Sequence, residues 1–141
     1  MGKRIYIFGN GNLSFSEFTA RYVPVLEAAL AEPDTHFLLC DFRGADTLAL
    51  EYLKDRTGQV TVYHVAERPR YFPDRYRTKV SQWEVRGGFP GDAERDAQAL
   101  ADCTHFLAFD YNTSAKRQSG TDKNIRAGLD LGKIRLGVEE A

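Results

Sequence analysis

Three segments of this sequence combine glycine with small polar and acidic residues in the manner of a site for an anion: Gly9-Asn10-Gly11-Asn12-Leu13-Ser14, Asp41-Phe42-Arg43-Gly44-Ala45-Asp46, and the stretch from Asp110 to Thr121. Gly9 and Gly11 permit positive φ and carry no Cβ, so N–H groups there can converge on a phosphate. The spacing is not the GxGxxG fingerprint of dinucleotide sites, because Ser14 holds the third glycine position. Ser119-Gly120-Thr121 offers two hydroxyls and a glycine amide where a helix is expected to start, and a helix N-terminus favours negative charge. Arg95 has the fork that suits a phosphate, although a salt bridge to Asp92 or Glu94 would occupy it instead. Asp41, Asp46, Asp96 and Asp110 compete as the carboxylate for a sugar hydroxyl or a glycosidic centre.

These residues need a scaffold, and the sequence alternates strand-like and helix-like runs. Apolar stretches at 4–8, 36–40, 60–64, 104–109 and 134–138 read as five strands. Between them, Phe18, Tyr22, Val25, Leu26, Ala29 and Leu30 recur at helical spacing, with Pro24 starting or kinking the helix. Ala45, Leu48, Ala49, Tyr52 and Leu53 mark a second helix, and a third opens at Asp92 with Ala93, Ala97, Leu100 and Ala101 facing inward. Thr121 caps a last helix through Ile125 and Leu129. The expected fold class is α/β: a Rossmann-like three-layer domain with a mostly parallel five-stranded sheet, built from right-handed crossovers. Ligands bind such folds beyond the carboxyl ends of the strands, where the three polar segments fall.

Residues 66–91 follow neither period. Three prolines, Gly87-Gly88, five arginines and five aromatics suggest a long functional loop or lid. Arg68, Arg70, Arg75, Arg77 and Arg86, interleaved with Tyr71, Phe72, Tyr76 and Trp83, would also suit stacking on single-stranded nucleic acid. The net charge of -1 argues against that partner, since non-specific binding needs a basic surface.

The 141 residues fit one domain, 1–141, that buries enough surface to need no disulfide. Cys40 and Cys103 read as reduced, buried thiols, and His36, His64 and His105 as strand residues without metal-ligand spacing, so no metal and no cofactor is expected. No apolar stretch is long enough to span a membrane, and the N-terminus enters a strand at once, so a cytoplasmic location is expected.

Arg43-Gly44-Ala45-Asp46 with Ala49, then Trp83, Gly91 and Arg95-Asp96, and finally Ser119-Gly120-Thr121 with Ile125, resemble the SMF/DprA–LOG (SLOG) superfamily of Rossmann-like domains, most closely its compact YpsA-related branch. The resemblance spans nearly the whole chain. It implies binding of a nucleotide or nucleotide-derived molecule, and its LOG members hydrolyse the N-glycosidic bond of nucleoside monophosphates. Asn124 stands where the catalytic glutamate of LOG enzymes would fall, and Asp96 where the nearer branch has asparagine.

The expected site therefore has Gly9, Asn10, Gly11, Asn12 and Ser14 with Ser119, Gly120 and Thr121 around phosphate. Asp41, Arg43, Gly44 and Asp110 complete the ligand-binding set. The expected function is nucleotide binding, as in a sensor. The alternative is a nucleoside-phosphate N-glycosidase, LOG-like or deoxyribosyltransferase-like, with Asp46 as base or stabiliser and Arg95 on the phosphate. A homo-oligomer is the expected assembly, and membrane and nucleic acid are not expected partners.

Overall fold

The computed structural model describes residues 2–138. In chain order the elements are β1 (Arg4–Ile7), α1 (Phe15–Arg21), α2 (Val23–Leu30), β2 (His36–Leu39), α3 (Ala45–Leu53), β3 (Val60–Val65), β4 (Glu84–Phe89), α4 (Asp92–Asp102), β5 (His105–Leu107), α5 (Gly120–Asp130) and β6 (Ile134–Arg135). The strands form one sheet in the order β4-β3-β2-β1-β5-β6, and every neighbouring pair is parallel.

Side chains alternate across the sheet, so β1 sends Ile5 and Ile7 to one face and Tyr6 and Phe8 to the other. The first face packs on Phe18, Leu26 and Leu50 of α1, α2 and α3; the second packs on Ala99, Leu100 and Ile125 of α4 and α5. With helices on both faces the inner strands β1, β2, β3 and β5 are buried on both sides, which is why they read as continuous apolar runs. The chain steps outward from β1 through β2, β3 and β4, then returns to place β5 on the other side of β1. That reversal opens a crevice at the carboxyl ends of β1 and β5.

The sheet has six strands rather than the expected five, because the supposed loop 66–91 contains β4. Its burial does not alternate and five of its six residues are exposed, as befits an edge strand, so no period of two showed in the sequence. Gly87 is needed there: a Cβ would lie 2.1 Å from Nε2 of His64 on the neighbouring strand. Gly88 has φ +85 beside the register shift in the β3–β4 ladder. Two helix readings also change. The helical run from Phe18 to Leu30 is two helices divided at Tyr22, and Pro24 stands in the first turn of the second, the helix start expected of it, where its missing N–H costs nothing. In α4 the inward residues are Arg95, Ala99 and Leu100, while Ala93, Ala97 and Ala101 are exposed; a buried arginine inverts the face that hydrophobicity alone would choose. The caps fall on Gly91 and Ser119 rather than Asp92 and Thr121.

Candidate functional site

Asn10, 3% exposed, joins the two sides of the crevice. Its Nδ2 donates to Asp110 Oδ1 (2.9 Å) and Thr121 Oγ1 (3.2 Å), and its Oδ1 accepts from the Tyr111 N–H (2.8 Å). Beneath it, the Tyr22 hydroxyl donates to the Phe8 carbonyl (2.9 Å) and accepts from the Phe109 N–H (3.0 Å), tying the ends of β1 and β5 through one oxygen. Asp110 organises the loop into α5, accepting from Ser119 Oγ at 2.7 Å and from the N–H groups of Asn112 and Thr113. Burial opposes its ionisation, but the hydrogen bonds from Thr113, Asn10, Ser119 and Asn112 prevail and hold the carboxyl well below the usual range.

The glycines act through space more than through dihedral angles. Neither Gly9 nor Gly11 has positive φ; instead a Cβ on Gly9 would lie 2.3 Å from the Tyr22 hydroxyl, and one on Gly11 would lie 2.9 Å from Phe42 Cε2. The left-handed residue is Gly44, at φ 73, whose Cβ would meet the Asn10 carbonyl at 2.3 Å. That carbonyl accepts from the N–H groups of Leu13 and Ala45, so Gly44 lets the β2–α3 turn close on the β1 loop.

These loops surround a cleft of about 490 Å³. One wall is the β1 loop from Gly9 to Asn12; another is the start of α5. Ser119 caps α5 by accepting from the Asp122 N–H at 3.0 Å. Among the described residues, the N–H groups of Gly11, Asn12, Gly120 and Thr121 donate to no protein acceptor. A Cβ on Gly120 would have no neighbour within 4 Å, so the helix end is open to the cleft. Arg43 and Arg117 also line it, both exposed, and neither has a carboxylate within ion-pair distance among the described residues.

The opposite wall is acidic and arranged around Arg95, 4% exposed. Its guanidinium contacts Asp41 Oδ1 at 2.9 Å, Asp92 Oδ1 at 3.0 Å and Asp96 Oδ1 at 2.9 Å. Asp96 also accepts from the Tyr6 hydroxyl (3.3 Å) and from Asn124 Nδ2 (3.0 Å). Asp41 is held from its other side by Arg70, whose N–H donates to Oδ2 at 2.7 Å and whose Nη2 reaches both Asp41 and Asp92. Burial works against the Asp41 anion, yet the Arg70 hydrogen bonds and the two nearby cations keep its carboxyl below the usual value.

Asp46 differs from both. It is 5% exposed, and its Oδ2 accepts one hydrogen bond, from the Phe42 N–H at 3.0 Å. Burial, aided by the negative charges of Asp96 and Asp41, outweighs that bond and the pull of Arg95 and raises Asp46 to about 7. A cleft carboxyl that titrates near neutrality can give or take a proton.

Of the residues expected from sequence, Gly9, Asn10, Gly11, Asn12, Arg43, Asp46, Arg95, Ser119, Gly120 and Thr121 line this one cleft. Ser14, Asp41, Gly44 and Asp110 stand behind the lining. Ser14 closes a capping box with Glu17 at the start of α1, and the other three position loops. Arg95 reaches the cleft with its charge already shared among three carboxylates. Sequence reasoning did not assign Tyr6, Phe8, Phe42 or Arg117, all of which line it. Phe42 and Arg117 lie inside the polar segments already singled out, and Tyr6 and Phe8 follow from the alternation of β1.

A comparison with protein-family models, curated proteins and solved structures finds no match to this chain. Among the described residues, no group of three or more His, Cys, Asp or Glu side chains could hold a metal ion, and no helix is long and apolar enough to cross a membrane.

Proposed function

We propose that this chain is a SLOG-like domain that binds a nucleotide or nucleotide-derived molecule in the cleft at the carboxyl ends of β1 and β5. The observation that carries this reading is that two sets of residues with unengaged N–H groups, in the β1 loop and the first turn of α5, line one cleft together with Arg43 and Arg117. Amides at a helix start and in a glycine loop are suited to a phosphate. The acidic wall opposite suits the hydroxyls of a sugar, with Asp46 the carboxyl whose second oxygen has no protein partner among the described residues.

A second reading, hydrolysis of the N-glycosidic bond of a nucleoside phosphate, is favoured by Asp46 titrating at about 7. In that reaction water adds across the bond between C1′ of the sugar and the base nitrogen, releasing base and sugar phosphate, and Asp46 handles the proton. Arg95 then acts by positioning Asp96 and Asp41 rather than by holding phosphate. Asn124 donates to Asp96, so the carboxylate that LOG enzymes carry on the last helix would here come from α4.

The test is incubation with nucleoside mono-, di- and triphosphates, NAD and ADP-ribose, followed by thermal shift and chromatography. A shift without released base supports binding; a shift with release makes the protein a glycosidase. Absence of any shift refutes the nucleotide reading.

A further inference from the structure

Beside the cleft lies a second, smaller groove of about 270 Å³, lined by Phe42, Arg43, Thr47, Arg70 and Tyr71, with Asp41 at its inner end. Phe42 and Arg43 line both spaces, so the groove continues the cleft outward over the carboxyl end of β2. Phe42 is 37% exposed, a large apolar side chain left open. The guanidinium carbons of Arg43 and Arg70 each lie 5.3 Å from its ring centroid. Tyr71 is fixed as a wall because its hydroxyl bonds to Glu51, which is itself paired with Lys54. Arg70 is fixed by Asp41 and Asp92, whereas Arg43 makes no ion pair among the described residues and rests on the Phe42 ring alone.

Resting on the nucleotide reading above, we infer that this groove is the base subsite and that the aromatic base of the ligand lies against Phe42, with Arg43 folding over it. A planar π system flanked by guanidinium groups is the surface on which nucleobases stack without needing a particular hydrogen-bond pattern. Phe42 and Asp46 both line the main cleft, so a base seated on the Phe42 ring leaves its sugar to extend into the cleft toward the Asp46 carboxyl.

The experiment compares the affinities of ribose 5-phosphate and the four common nucleoside 5′-monophosphates for the wild-type protein, Phe42→Leu and Phe42→Trp. Leucine keeps apolar bulk without a π face. Phe42→Leu is expected to weaken at least one nucleotide roughly tenfold or more, the size of a lost base–aromatic stack, and to leave ribose 5-phosphate unchanged. Phe42→Trp is expected to restore the nucleotide. The base subsite is overturned if the wild-type protein binds ribose 5-phosphate as tightly as every nucleotide. It is equally overturned if Phe42→Leu weakens both ligand types alike, or neither. If the wild-type protein binds no phosphorylated ligand at all, the cleft reading falls and the subsite falls with it.

Discussion

Replacing Asp46 by asparagine should make the protein more stable at high pH. Burial raises this carboxyl from about 3.8 to about 7, so between those values the unfolded chain releases its proton while the folded chain keeps it. The sign is therefore opposite to that of a salt-bridged carboxylate: with respect to this group the folded state is best below pH 4 and loses stability as pH rises to 7. The loss is about 1.4 kcal/mol per pH unit and reaches about 4 kcal/mol before levelling off. Asparagine cannot ionise, and its side-chain oxygen can still accept from the Phe42 N–H. Asp46→Asn should match wild type near pH 4 and melt roughly 8–20 °C higher at pH 8.5 for a domain of this size. Calorimetric melting of both proteins from pH 4 to 9 measures the difference directly. A gap that does not widen with pH, or one that favours wild type more at pH 8.5, would refute the assignment of Asp46 as a buried carboxyl of raised pKa. If it holds, the protein carries an acid at a cost to stability, as functional sites do.

Two further outcomes follow from the surroundings of the cleft. Arg95→Ala should cost about 3–5 kcal/mol in denaturant unfolding, because it strips Asp41 and Asp96 of a buried cation; Arg70→Ala should cost well under half as much, its side chain being 43% exposed. Gly44→Ala should destabilise by more than about 1 kcal/mol, since it strains a positive φ and places Cβ on the Asn10 carbonyl, and Gly120→Ala, with open space around it, should be close to neutral.

Much of the architecture could be read before any coordinates, because strands buried on both faces by helices announce themselves as short apolar runs. The runs at 4–8, 36–40 and 60–64 contain β1, β2 and the start of β3. β4 could not be read that way: an exposed edge strand with two glycines and only Val85 and Phe89 apolar shows no alternation. The face of α4 was misread for a related reason, since what buries Arg95 is the set of carboxylates around it, and Asp41 is 54 residues away. In the cleft, loop position brought nine of the named residues together, and the family resemblance added Arg95 from α4. What it could not distinguish was a residue that lines the cleft from one that supports it. Asp41 and Asp46 sit five apart after the same strand, yet Arg70 neutralises the first while burial raises the second, and that difference arises only from distant partners.

The central claim is that the first turn of α5 receives a phosphate, and Gly120→Asp tests it most directly. A Cβ there meets no neighbour within 4 Å, and an acidic residue in the first turn favours the helix, so the variant should fold at least as stably as wild type. Calorimetric titration with nucleoside 5′-monophosphates should then show binding to wild type and a loss of at least tenfold in Gly120→Asp. A folded Gly120→Asp variant that binds as tightly as wild type would contradict the account.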